Sequence, residues 1–146
     1  MSKVLLLICV FSIFLILVVL NYRIHGSHVL TYEGSQLSVF NQGYGFDDIS
    51  KSLAISNDLI MDVEKKLNKK ILKSKTLVLS YRLQLLGLKK ESREVVFFNG
   101  FCLAVYDRAK EYWKRELVGI IGGGKCFFNG VFDIESKEII EFEWNS

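Results

Sequence analysis

Residues 4–20, VLLLICVFSIFLILVVL, form an apolar run of 17 residues in which Ser12 is the only clearly polar side chain. No other feature narrows the choices for this chain so far. As a helix the run covers about 26 Å, near the lower limit for crossing a bilayer. It lacks the polar interruptions at helical spacing that a helix packed on a globular core shows. Lys3 precedes it, and Asn21, Tyr22 and Arg23 follow, with Tyr22 suited to the headgroup zone. A cleaved signal peptide needs small residues at −1 and −3. Around Gly26 and Ser27 the −3 positions are Ile24 and His25, and Ile8 before Cys9 does not suit a lipobox. The run therefore reads as a retained transmembrane signal anchor (residues 1–21), with residues 4–20 in the lipid. The remainder is expected in the periplasm, on a single-pass protein of a bacterial inner membrane.

Residues 22–45 are punctuated by Gly26, Ser27, Gly34, Ser35, Gly43 and Gly45 and read as a stalk. One domain is expected over 46–146. In 47–72, Ile49, Leu53, Leu59, Ile60, Val63, Leu67 and Ile71 recur at three- to four-residue steps, the spacing of an amphipathic helix capped by Asp47 or Asp48. Lys65, Lys66, Lys69 and Lys70 then fall in its last turns, matched to the negative end of the helix dipole. In 76–88 the period changes to two, and 94–106 forms a second long strand beyond the polar turn KKESR. The tetrapeptide FFNG occurs at 97–100 and 127–130. Read inside continuous strands, its glycines mark bulges or bends. Residues 107–118 fit a helical stripe or a strand, and the strand closes a sheet more neatly. Residues 125–134 and 138–144 make a last hairpin. The fold class is α+β: a transmembrane helix, then one amphipathic helix packed on a curved antiparallel sheet of about four strands.

A net charge of +3 over 146 residues is too weak a field for a strongly basic nucleic-acid binder, and the lysines of 65–70 have no interleaved aromatic on which a base could stack. Residues 119–125, GIIGGGK, satisfy the phosphate-loop spacing, but Cys126 replaces the magnesium-binding Ser or Thr and a strand pattern replaces the helix. A flexible loop is the better reading. Cys102 and Cys126 have no histidine in the folded region to act as base. They form either a disulfide or two buried thiols, and the β pattern leans to thiols. His25 and His28 sit in the expected stalk without further ligands, so neither a metal nor another cofactor is expected. Glu141 and Glu143 share one strand face about 7 Å apart, which suits a soluble edge strand better than acid–base catalysis. Charge is uneven: 51–93 holds 11 basic and 4 acidic residues, and 131–146 holds 1 basic and 5 acidic. Such a dipole can steer a charged protein partner, or be neutralised within the fold.

The segment GGGKCFFNGVFDIESKEIIEF (122–142) is similar to the C-terminal hairpin of small immunity proteins with a cystatin-like or nuclear-transport-factor-like fold. The matching residues are Gly123, Gly124, Phe132, Asp133, Ser136, Lys137 and Ile139, and the turn departs from the pattern in lacking glycine. The resemblance implies a protein that binds and blocks a cognate toxin without catalysis. Asp133, Glu138, Glu141 and Glu143 are then expected to face the partner. The alternative is a structural component of an envelope or secretion assembly.

Overall fold

The computed structural model describes residues 7–10, 12–13, 24–30, 45–46, 52–74, 80–103, 105, 112–119 and 123–145. In chain order its elements are β1 (Ile24–Val29), α1 (Asn57–Lys73), β2 (Tyr81–Lys90), β3 (Arg93–Cys102), β4 (Gly124–Asp133) and β5 (Glu138–Asn145). The strands form one sheet in the order β1-β2-β3-β4-β5. β1 runs parallel to β2, and the other pairs are antiparallel.

Several expectations are corrected. Among the described residues no helix is long and apolar enough to cross a membrane. The absence of such a helix among the described residues overturns the transmembrane anchor, the single-pass inner-membrane placement and the periplasmic address that followed from it. Of the apolar run, residues 7–10 and 12–13 are described, and they are helical. The sheet has five strands and is mixed, not an antiparallel sheet of about four. The added strand comes from the expected stalk: Ile24 is fully buried, and Ser27 donates to Glu64 of α1. Residues 112–119 form turns and irregular chain, not a strand.

α1 starts ten residues later than its hydrophobic spacing suggests. Ser56 is its N-cap, its hydroxyl accepting the Leu59 N–H at 3.2 Å, and Asp58 sits in the first turn. Leu53 lies before the helix and bridges to Gly87 of β2. Asp47 and Asp48 lie outside the described residues. The buried seam of α1 is Val63, Leu67 and Ile71, each contributing roughly 2 kcal/mol on burial.

The two FFNG copies lie against each other. In the β3–β4 register Phe98 faces Gly130, Asn99 faces Asn129 and Gly100 faces Phe128. The β3–β4 register runs unbroken through both glycines; the irregularities of β4 lie on its β5 side, between Gly124 and Phe128 and between Val131 and Phe132. Each leaves room for the aromatic ring of the opposite copy. A Cβ on Gly100 would strike the Phe128 ring, and one on Gly130 would lie 2.7 Å from Phe98 Cζ. A small-beside-large arrangement thus fills the middle of the sheet on the α1 side, where Phe128 also packs on Tyr81, Phe142 and Trp144.

At the end of this pair a disulfide joins Cys102 of β3 to Cys126 of β4, with Cα atoms 5.0 Å apart, within the usual range. The lean towards two thiols gives way to a bond because the register sets the two residues opposite one another. The bridge closes the loop that carries Trp113 and Val118, both buried. Cys102→Ser with Cys126→Ser is expected to lower stability by about 3 kcal/mol, from loop-closure entropy, read as the shift in urea midpoint against the oxidised protein.

The face opposite α1 carries Leu86, Leu88, Val95, Phe97 and Val131, with Leu30 and Phe46 packed over them. Beside that cluster a polar row crosses all five strands: His28, Gln84, Asn99, Asn129 and Glu143. Gln84 and Asn99 are buried under residues 113–118 and hold them in place. Gln84 Nε2 donates to the carbonyls of Trp113 and Glu116, its Oε1 accepts from Val118 N–H and Asn99 Nδ2, and Asn99 also donates to the Val118 carbonyl.

Candidate functional site

Ion pairs bind α1 to the β4–β5 hairpin. Lys66 pairs with Glu138, and Lys137, at the turn, pairs with Asp62 at 2.8 Å. The hydrogen bond from Lys137 holds the Asp62 carboxyl below its usual range, and the same bond raises Lys137. Between α1 and β5 lies an open cleft of about 360 Å³, lined by Lys66, Lys69, Lys70, Lys73, Glu138 and Ile139. The four lysines recur at steps of three and four, so they form one stripe down the helix. The stripe is about 10 Å long. Lys70 Nζ sits 5.0 Å from the centre of the Phe142 ring, a cation–π contact. Lys69 and Lys73 are exposed and enter no ion pair among the described residues.

The four acidic residues expected to face a partner occupy different settings. Asp133 is buried and caps the β4–β5 turn: its Oδ1 accepts the Ser136 N–H at 2.7 Å and the Ser136 hydroxyl at 2.8 Å. These bonds hold its carboxyl below the usual value, against the opposing effect of burial and with help from Arg93. Glu138 pairs with Lys66 in the cleft wall. Glu141 pairs with Lys90, which lies over the Phe46 ring. Glu143 is exposed at the end of the polar row. The charge asymmetry of the sequence is thus partly neutralised inside the fold, through Lys66–Glu138, Lys90–Glu141 and Arg93–Asp133.

Asp133 makes a pH prediction. Its folded-state pKa is depressed, so its contribution is complete above the unfolded value near 4 and is lost as pH falls through the lower folded value. Asp133→Ala is expected to lose about 2 kcal/mol at pH 7. The gap in urea midpoint between variant and wild type should narrow below about pH 4.

Other expected features resolve plainly. β4 begins at Gly124, so no helix N-terminus follows Lys125, whose ammonium donates to the Ser74 carbonyl at 3.2 Å. The helix start that a phosphate loop needs is thus replaced by a strand, and residues 120–122 of that spacing lie outside the described residues. His28 lies in β1 with its ring edge-on to Trp113, at 5.6 Å. Among the described residues no three His, Cys, Asp or Glu side chains come together as metal ligands.

The sequence reading noticed Lys66, Lys69 and Lys70 but assigned them to the helix dipole, and it missed Lys73, Ile139 and Phe142 as neighbours. The available signal was the spacing of lysines 66, 69, 70 and 73, which defines a stripe longer than a dipole effect accounts for. Compared with known proteins, the chain matches no family model, no curated protein and no solved structure.

Proposed function

We propose that the chain is a non-catalytic module that binds a partner protein in fixed stoichiometry and neutralises it by covering its working surface, the mode of the immunity-type proteins it resembles. The observation that carries this reading is where large apolar side chains remain uncovered. Beyond residue 13 four described ones are exposed, and three of these lie on the two elements that form the cleft: Met61 (62%) and Leu72 (38%) on α1, and Ile140 (40%) on β5. The β4–β5 register passes from Val131↔Glu141 to Phe132↔Ile139, so Ile140 is the extra residue of a bulge, a device that re-aims a side chain at sheet edges. Uncovered apolar residues on two adjoining elements that also carry many charges are the composition of a docking surface.

The test is isolation of the native complex on the tagged full chain. Light scattering should give a complex of fixed composition, and Met61→Asp with Ile140→Asp should weaken capture at least tenfold, since apolar anchors dominate such interfaces. A chain that elutes alone, or a preparation that turns over a small molecule without any bound protein, overturns the proposal.

A further inference from the structure

We infer that the lysine-lined cleft between α1 and β5 receives an acidic segment of the partner, a stretch of polypeptide bearing several Asp or Glu side chains. The assignment rests on the reading of the chain as a protein-binding module and specifies the chemistry of what it holds. Glu138 answers Lys66, and Lys70 leans on Phe142, but Lys69 and Lys73 stand exposed at the rim without a counter-charge among the described residues. The helix dipole accounts for Lys70 and Lys73, which lie in the last turn. It does not account for Lys66 and Lys69 one turn earlier, because the effect falls off within that turn.

The spacing of the charges favours carboxylates spread along a polypeptide over a single compact anion. The cleft lies at the carbonyl end of α1, where the dipole lends an anion no support, so the lysines alone supply the attraction. All its cations are lysines, point charges set about a turn apart on the helix. Spread single charges suit a row of carboxylates, which in an extended chain recur on one side every 7 Å or so. Ile139, the one apolar residue of the lining, suits a ligand with hydrocarbon between its charges.

The experiment titrates the full chain with decaglutamate and, separately, with a linear decaphosphate at low salt, followed by calorimetry. Lys69→Glu with Lys73→Glu should weaken decaglutamate binding about tenfold or more. Lys65→Glu with Lys89→Glu makes the same charge change outside the cleft and should shift binding less than threefold. Both pairs are exposed, and Lys73→Glu sets an anion in the last turn of α1, so the cleft pair should melt no more than a few degrees below wild type. Should the cleft pair fail to fold, Lys69→Gln with Lys73→Gln replaces it, with a smaller loss of the same sign. The inference is overturned if wild type does not bind decaglutamate, if the two variant pairs behave alike, or if decaphosphate binds the cleft more tightly. In each of those cases a native complex that still forms in fixed stoichiometry keeps the binding reading and discards only the acidic ligand.

Discussion

Gly130→Val should destabilise the domain by about 4 kcal/mol or more, at the upper end of what overpacking produces. A Cβ there would run into the Glu141 carbonyl oxygen, lie 2.8 Å from the carbonyl carbon and meet the Phe98 ring at 2.7 Å. The obstacle on the β5 side is backbone held in the sheet, which cannot move aside without breaking the β4–β5 ladder. Gly100 offers the contrast, since the three nearest atoms there all belong to the Phe128 ring. Phe128→Leu should therefore recover part of the loss in Gly100→Ala. Phe98→Leu should recover little in Gly130→Val. Urea unfolding of the two double-mutant cycles measures the difference.

Gln84→Ala should lose about 4 kcal/mol, because one truncation removes four hydrogen bonds, three of them buried. The carbonyls of Trp113 and Glu116, the Val118 N–H and one bond of Asn99 all depend on that amide. The damage should be local as well as global: residues 113–118 lose their tie to the sheet, so Trp113 fluorescence should shift to the red even where the fold persists. Gln84→Glu tests the chemistry apart from the size. A carboxylate keeps the acceptor side but cannot donate to two carbonyls, so a loss close to that of alanine is expected.

The parts of the fold that were legible are those where one period dominates. Alternation in β2 and β5 and the seam of Val63, Leu67 and Ile71 could be read directly from their spacing, although the sheet buries both faces of β2 and β3. The start of α1 could not. Ile49 and Leu53 continue the helical spacing, yet Leu53 is used by β2, where Gly87 lets its backbone approach and donate at 2.8 Å. β1 was illegible for a different reason. IHGSHV has weak intrinsic strand preference, and its place is decided by the burial of Ile24 and by a neighbour more than fifty residues away, a tertiary effect that outweighs propensity.

The site was legible only in pieces. The charge asymmetry could be counted, but which charges cancel depends on packing that no spacing rule reveals. Glu138 and Lys66 are 72 residues apart and meet only because α1 lies beside β5. Asp133 makes the same point: expected to face a partner, it accepts from the N–H and hydroxyl of Ser136 and caps the β4–β5 turn. The disulfide needed the β3–β4 register, which the twin FFNG segments set by fitting ring to glycine.

The pairing of β1 with β2 bears on the order in which the protein assembles. β2 to β5 form a meander whose neighbours are close in sequence, whereas β1 must wait for a long intervening stretch, α1 included, to be placed before its partner edge is ready. Contacts of such high sequence separation form late and slow the search. Backbone amides of Ile24–Val29 are thus expected to exchange with solvent ahead of those in the meander, through partial opening rather than complete unfolding.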